Sequence, residues 1–158
     1  MTPQIEIKVI TDPINSVYGG IAPEHYRQLR QAGIEVIETD LTALRASNPL
    51  WSGFWYLCCQ GVGNNAEKGW LPNPFGDEKI TLRSYLSLFN FKANHRKTVV
   101  VDTLEGWKTL VTSMNPHDGS SHHSNVALMV TGNTAIDVLK TEQAVGRMSK
   151  GDLPVVIV

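Results

Sequence analysis

The chain has 158 residues, 42% of them hydrophobic and 18% charged, which provides for one globular domain with a real core. A net charge of −1 excludes a global field that would draw the chain onto nucleic acid or membrane. It contains no apolar run of about 18 residues and no basic-then-apolar leader, so neither a transmembrane helix nor a signal peptide is predicted.

In chain order, "IEIKVITD" (5–12) alternates Ile5, Ile7 and Val9 with Glu6, Lys8 and Ile10 and predicts a strand. Pro23 opens and Gly33 closes a helical pattern carrying Tyr26, Leu29 and Arg30. "IEVIET" (34–39) reads as a second strand, so strand, helix and strand with short links imply a parallel α/β unit. Residues 47–76 break this rhythm: Trp51, Phe54, Trp55, Tyr56, Trp70 and Phe75 stand among Gly, Pro and Asn, with only Glu67 and Lys68 charged. The expectation is an irregular insertion packed by its own aromatics, and Trp and Tyr of this kind also suit a membrane interface. Within it Cys58 and Cys59 are adjacent. Neighbouring Cα atoms are too close for ordinary disulfide geometry, so no disulfide framework is expected.

A helix is predicted over 81–89, and strands over 97–101, 107–113 and 125–130. Ile136, Leu139, Val145 and Met148 give an amphipathic helix over 133–148. "LPVVIV" (153–158) begins a further strand at the end of the chain, which leads us to expect a fragment of a larger protein. The Gly-rich stretches "VYGG" (17–20) and "GVGNN" (61–65) lack phosphate-loop or dinucleotide spacing and read as turns.

Chemistry concentrates in one interval. Between Glu78 and Asp102 there is no acidic residue, yet Lys79, Arg83, Lys92, His95, Arg96 and Lys97 all fall there. A solvated basic face has the same composition. Strand parity sharpens the reading, because His95 and Lys97 are two apart, about 6.6 Å in extended chain, and emerge on one face. Lys97 offers a point charge for phosphate oxygens and His95 a nucleophile or proton carrier near neutral pH. The same parity puts Asp102 on the opposite face, as an anchor for the turn. In "TSMNPHDGSSHHSN" (112–125), Ser113 and Asn115 are again two apart and can hydrogen-bond a phosphate, or serve only as turn residues. His117, Asp118, His122 and His123 offer an alternative as zinc ligands, but their spacing matches no closed structural site, and no metal is expected.

His95, Lys97 and Asp102 in H-x-K-x4-D spacing, with "TSMN" downstream on a following strand, resemble the phospholipase D superfamily. "GWLPNPFG…TLRSYLSLFNFKANHRK" and "LRQAGIEVIETD" are similar to the first-motif half of bacterial cardiolipin synthase and phosphatidylserine synthase-like proteins, from about Ile5 to Arg147. Thr112 stands where the family has Gly, and Ser124 and Asn125 stand where many relatives place a carboxylate that orients the histidine. The resemblance implies an α/β half-domain with a mixed sheet flanked by helices (α/β/α), completed by a second H-x-K-x4-D half or, in the alternative of a nuclease-like or non-catalytic single-motif half-domain, by a second copy of the chain. It also implies no cofactor, a phospholipid headgroup phosphate as substrate, and a bacterial cytoplasmic location or one at the cytoplasmic membrane surface. In that chemistry His95 forms a phosphohistidine, while Lys97, Ser113 and Asn115 hold the phosphoryl oxygens. On this reading His95, Arg96 and Lys97 all face a phosphate.

Overall fold

The computed structural model describes residues 5–44, 48–59, 61, 68–90, 92–115 and 118–150. The expected strand at 153–158 lies outside them. The chain is α/β in class, and where the sequence suggested one domain the described residues form two compact units. Unit 1 runs to Asn94 and includes Met148–Lys150; unit 2 runs from His95 to Arg147.

Unit 1 begins with β1 (Lys8–Thr11), α1 (Glu24–Gln31) and β2 (Glu35–Glu38). The two strands pair in parallel with Val9 opposite Val36 and Ile10 opposite Ile37, as the strand–helix–strand pattern predicts. Between β1 and α1 a 3-10 turn, Pro13–Ser16, is capped by Asp12, whose carboxylate accepts the Ile14 amide at 2.8 Å. Pro23 sets the start of α1. Its end is a Schellman closure, with the Gly33 amide on the Arg30 carbonyl and the Ile34 amide on the Leu29 carbonyl, both at 3.0 Å. That closure puts Gly33 at φ 81°, where a side chain would be strained.

The irregular insertion is corrected in part. Pro49–Cys58 form a helix, α2, because Asn48 caps it by accepting the Trp51 amide and Pro49 occupies its first turn. Trp51 donates its indole N–H to the Leu86 carbonyl at 3.1 Å and meets the Phe89 ring, so α2 packs on α3 (Leu82–Leu88) as well as on itself. Ser52 donates to Asn90 Oδ1 in the same buried seam. Residues 68–80 are irregular apart from a bridge between Leu71 and fully buried Ile80. "VYGG" is a turn as expected; most of "GVGNN" lies outside the described residues. Cys58 and Cys59 form a disulfide across one peptide bond, contrary to expectation. It closes no loop and ties no distant elements together.

Unit 2 is an antiparallel sheet in the order β3 (Thr98–Thr103), β4 (Gly106–Thr112), β5 (Ala127–Thr131). A short helix α4 (Asp118–Ser121) precedes β5, and α5 (Asn133–Lys150) follows it. Parallel and antiparallel pairings therefore sit in separate sheets, not in the one mixed sheet expected. Register decides the two faces. Val100, Thr109 and Val130 share one, against which α5 packs: Thr109 is buried and its hydroxyl donates to the Ala135 carbonyl at 3.4 Å. Val99, Leu110 and Met129 form a row across the other face and remain open, Val99 56% and Met129 65% exposed.

Candidate functional site

Register also locates the motif residues. The pairing from Thr98 opposite Val111 to Thr103 opposite Gly106 is unbroken, and the Thr112 amide donates to the Lys97 carbonyl at 2.9 Å, extending the ladder one step. The start of β3 and the end of β4 therefore adjoin. His95 and Lys97 enter β3 at that end, and Ser113 and Asn115 leave β4 there. Lys97 shares the open face of Val99 and Val101. Its ammonium donates to the His95 carbonyl at 2.9 Å, which folds the side chain back along the chain toward His95. The His95 ring is exposed.

Asp102 lies five residues further on, at the far end of β3 and, by parity, on the face opposite Lys97. It is exposed and does not anchor the turn. Thr103 does that: its hydroxyl donates to the Gly106 carbonyl at 2.7 Å and accepts the Glu105 amide at 3.3 Å. The turn places Gly106 at φ 108°.

Arg96 corrects the expectation of three cations on one phosphate. One residue out of phase with its neighbours, it reaches α5, donating to the Thr141 carbonyl at 3.3 Å and pairing with Glu142 at 3.5 Å. Two cationic candidates, His95 and Lys97, remain at the motif.

Ser113 and Asn115 differ in what they can offer. The Ser113 hydroxyl accepts the Val126 amide at 3.1 Å and donates to Asn125 Oδ1 at 3.2 Å, so it clamps the loop. Asn125 holds the other side through its amide, which donates to the carbonyls of Ser120 at 2.8 Å and His123 at 3.0 Å. Asn115 is fixed through its backbone, donating to the Ser120 hydroxyl at 3.0 Å, and its side-chain amide has no partner among the described residues. Thr112 and Asn125, which the motif reading noted only as departures, and Ser120, which it passed over, are thus loop-positioning residues; the Thr112 hydroxyl donates to the Val126 carbonyl and accepts the Met114 amide. "HHSN" held a signal for Asn125, since an Asn among turn residues commonly ties backbone groups.

Of the alternative metal ligands, His117 lies outside the described residues, and His122 and His123 are exposed. Among the described residues no group of three or more His, Cys, Asp or Glu is placed to hold a metal ion. Nor, among them, is any helix long and apolar enough to cross a membrane. Comparison with protein-family models, with curated proteins and with solved structures returns no match.

Proposed function

We propose that this chain supplies one histidine–lysine motif of a phospholipase D-type phosphodiester site. The observation that carries the reading is the ladder between β3 and β4, which gathers His95, Lys97 and Asn115 at one end of the sheet and leaves Asp102 at the other. An imidazole, an ammonium and an amide carried at one end of a sheet make up a donor set suited to a tetrahedral anion.

In the proposed reaction an imidazole nitrogen of His95 attacks phosphorus and the bond to the leaving alcohol oxygen breaks. A histidine of the second motif gives that oxygen its proton. Water or an acceptor alcohol then attacks the phosphohistidine, loses its proton to the second histidine, and releases His95. Lys97 and Asn115 stabilise the charge on the nonbridging oxygens, each donor contributing roughly 3 kcal/mol in a site closed to water. Ser113 acts through the loop it clamps. The second motif comes from another domain of the parent protein. A second copy of this chain is the alternative, and the open row of Val99, Leu110 and Met129 favours it, because a partner covering that face meets Lys97 as well. Contact with a lipid surface finds support in α2, whose Leu50, Phe54 and Leu57 are exposed at helical spacing.

The test is an NMR titration of the chain with orthovanadate, followed by turnover assays on short-chain phospholipid. Shifts centred on His95, Lys97 and Asn115, lost in Lys97→Ala and kept in Asp102→Asn, are expected. So is negligible turnover by the monomer. Vanadate binding that ignores Lys97 sinks the site, and His95-dependent turnover by a verified monomer sinks the half-site.

A further inference from the structure

Unit 1 holds a cavity of about 300 Å³, and the described residues that line it all belong to that unit. It opens beyond the carboxyl ends of β1 and β2, lined by Pro13 just after the first and by Glu38 through Thr42 at the end of the second. In parallel α/β sheets that is where ligands bind. Its size falls at the small end of ligand sites.

Its walls are charged in an unusual way. Lys92 is only 9% exposed, and its ammonium donates to the carbonyls of Leu41 at 3.3 Å and Leu44 at 3.1 Å, with the Tyr56 ring 5.7 Å away. An ammonium has three N–H groups, and the third has no acceptor among the described residues. No carboxylate there lies within ion-pair distance of it, although an uncompensated buried charge is costly. A second cation on the wall, Arg83, lies over the Trp55 ring at 5.4 Å and donates to the Cys59 carbonyl. Two carboxylates also line it. Among the described residues Asp40 accepts only the amide and hydroxyl of Thr42, and Glu38 has no hydrogen-bond or ion-pair partner. Two cations and two anions thus face one cavity without pairing with each other. The chain bordering it is strained as well: Val17 and Tyr18 both take left-handed φ, 49° and 54°, which non-glycine residues hold at a cost of roughly 1–3 kcal/mol each.

We propose that this cavity binds a small zwitterion, its carboxylate or phosphate held by Lys92 and Arg83 and its ammonium by Glu38 and Asp40. Each end of such a molecule supplies the counter-charge that one pair of these side chains lacks among the described residues. A simple anion answers only Lys92 and Arg83, and a simple cation only Glu38 and Asp40. The proposal does not rest on the phosphodiester reading.

The experiment is calorimetric titration of the full chain with two zwitterions, phosphocholine and glycine betaine, and with their single-charge halves, choline, inorganic phosphate and acetate. At least one zwitterion is expected to bind tenfold or more tightly than either half. Lys92→Met should weaken it at least tenfold while leaving the melting temperature unchanged or higher, since Met removes an uncompensated buried charge. Glu38→Gln and Arg83→Gln, both on the cavity wall, should each weaken it severalfold. Phosphate binding as well as phosphocholine makes this an anion site and overturns the proposal, as does the absence of zwitterion binding. A lowered melting temperature in Lys92→Met, with binding intact in Glu38→Gln and Arg83→Gln, assigns Lys92 to clamping the Leu41–Leu44 carbonyls and overturns it too.

Discussion

Gly20→Ala tests how closely the turn after β1 approaches α3. A Cβ at Gly20 would lie 2.5 Å from Ser84 Oγ, 2.8 Å from Ser84 Cβ and 3.0 Å from the Val17 carbonyl oxygen. Carbon atoms rest about 3.5–4.0 Å apart, so Ser84 would have to retreat by about 1 Å. It is fully buried, and its amide is held by the Thr81 hydroxyl that caps α3 at 3.2 Å. Overpacking of this kind costs roughly 1–3 kcal/mol. Against it stands the reduced freedom of the unfolded chain, about 0.4–1 kcal/mol. Net destabilisation of about 1–2 kcal/mol follows. Gly53→Ala is the control: nothing lies within 4 Å of its Cβ, and it sits inside α2, so a gain of about 0.5–1 kcal/mol is expected there. Urea denaturation measures both, with the slope checked for constancy. Adding Ser84→Ala to Gly20→Ala should restore only part of the loss, because the hydroxyl leaves but the Cβ contact stays. Equal stability of Gly20→Ala and the parent chain, or full rescue by Ser84→Ala, would refute the argument.

Ile37, 2% exposed in β2, should lose about 2–5 kcal/mol on Ile37→Ala, measured by the same denaturation. Burial, and then the Asp12 carboxylate, push the Tyr18 hydroxyl up to about 12 from its ordinary 10.0. The folded state therefore keeps that proton where the unfolded chain releases it, and the associated stability is present below pH 10 and lost as pH rises toward 12. Alkaline denaturation of Tyr18→Phe should show a shallower decline over that window; an identical slope would count against it. Arg96→Ala should cost no more than about 1 kcal/mol in stability, since its ion pair is partly exposed, and should leave vanadate affinity unchanged where Lys97→Ala lowers it. The double variant Leu50→Glu/Leu57→Glu should abolish sedimentation of the chain with anionic phospholipid vesicles; persistence of binding removes α2 from the lipid contact.

Elements whose signals are local were legible from the sequence. Pro23 and Gly33 bracketed α1 because a preset φ and a left-handed residue act within one turn. All five described strands fall within segments read as strands, though alternation marked only the first. The helix α2 was missed because its apolar residues surround it, leaving no polar face to reveal a period, although Asn48-Pro49 marked its start. Parity correctly separated Lys97 from Asp102 along an unbroken ladder, but the partner of Arg96 lay 46 positions away at Glu142, beyond any local pattern. Asp102 was expected to anchor the turn because parity turns it away from Lys97 at the strand's end, yet Thr103 is one residue closer and takes the bonds. The separation into two sheets and the burial of Lys92 among backbone carbonyls depend on tertiary placement, which periodicity does not encode.

The hydrogen bond from the Asp40 amide to the Ser149 hydroxyl, 2.9 Å long and spanning 109 residues, has a consequence for the order of folding. The hairpin of β3 and β4 closes over two residues, Leu104 and Glu105, and can form as soon as it leaves the ribosome. The unit that emerges first is the one finished last, because its final contact waits for Met148–Lys150. A ribosome stalled shortly before Ser149 should therefore hold a chain whose β3–β4 hairpin resists hydrogen exchange while the Asp40 amide does not.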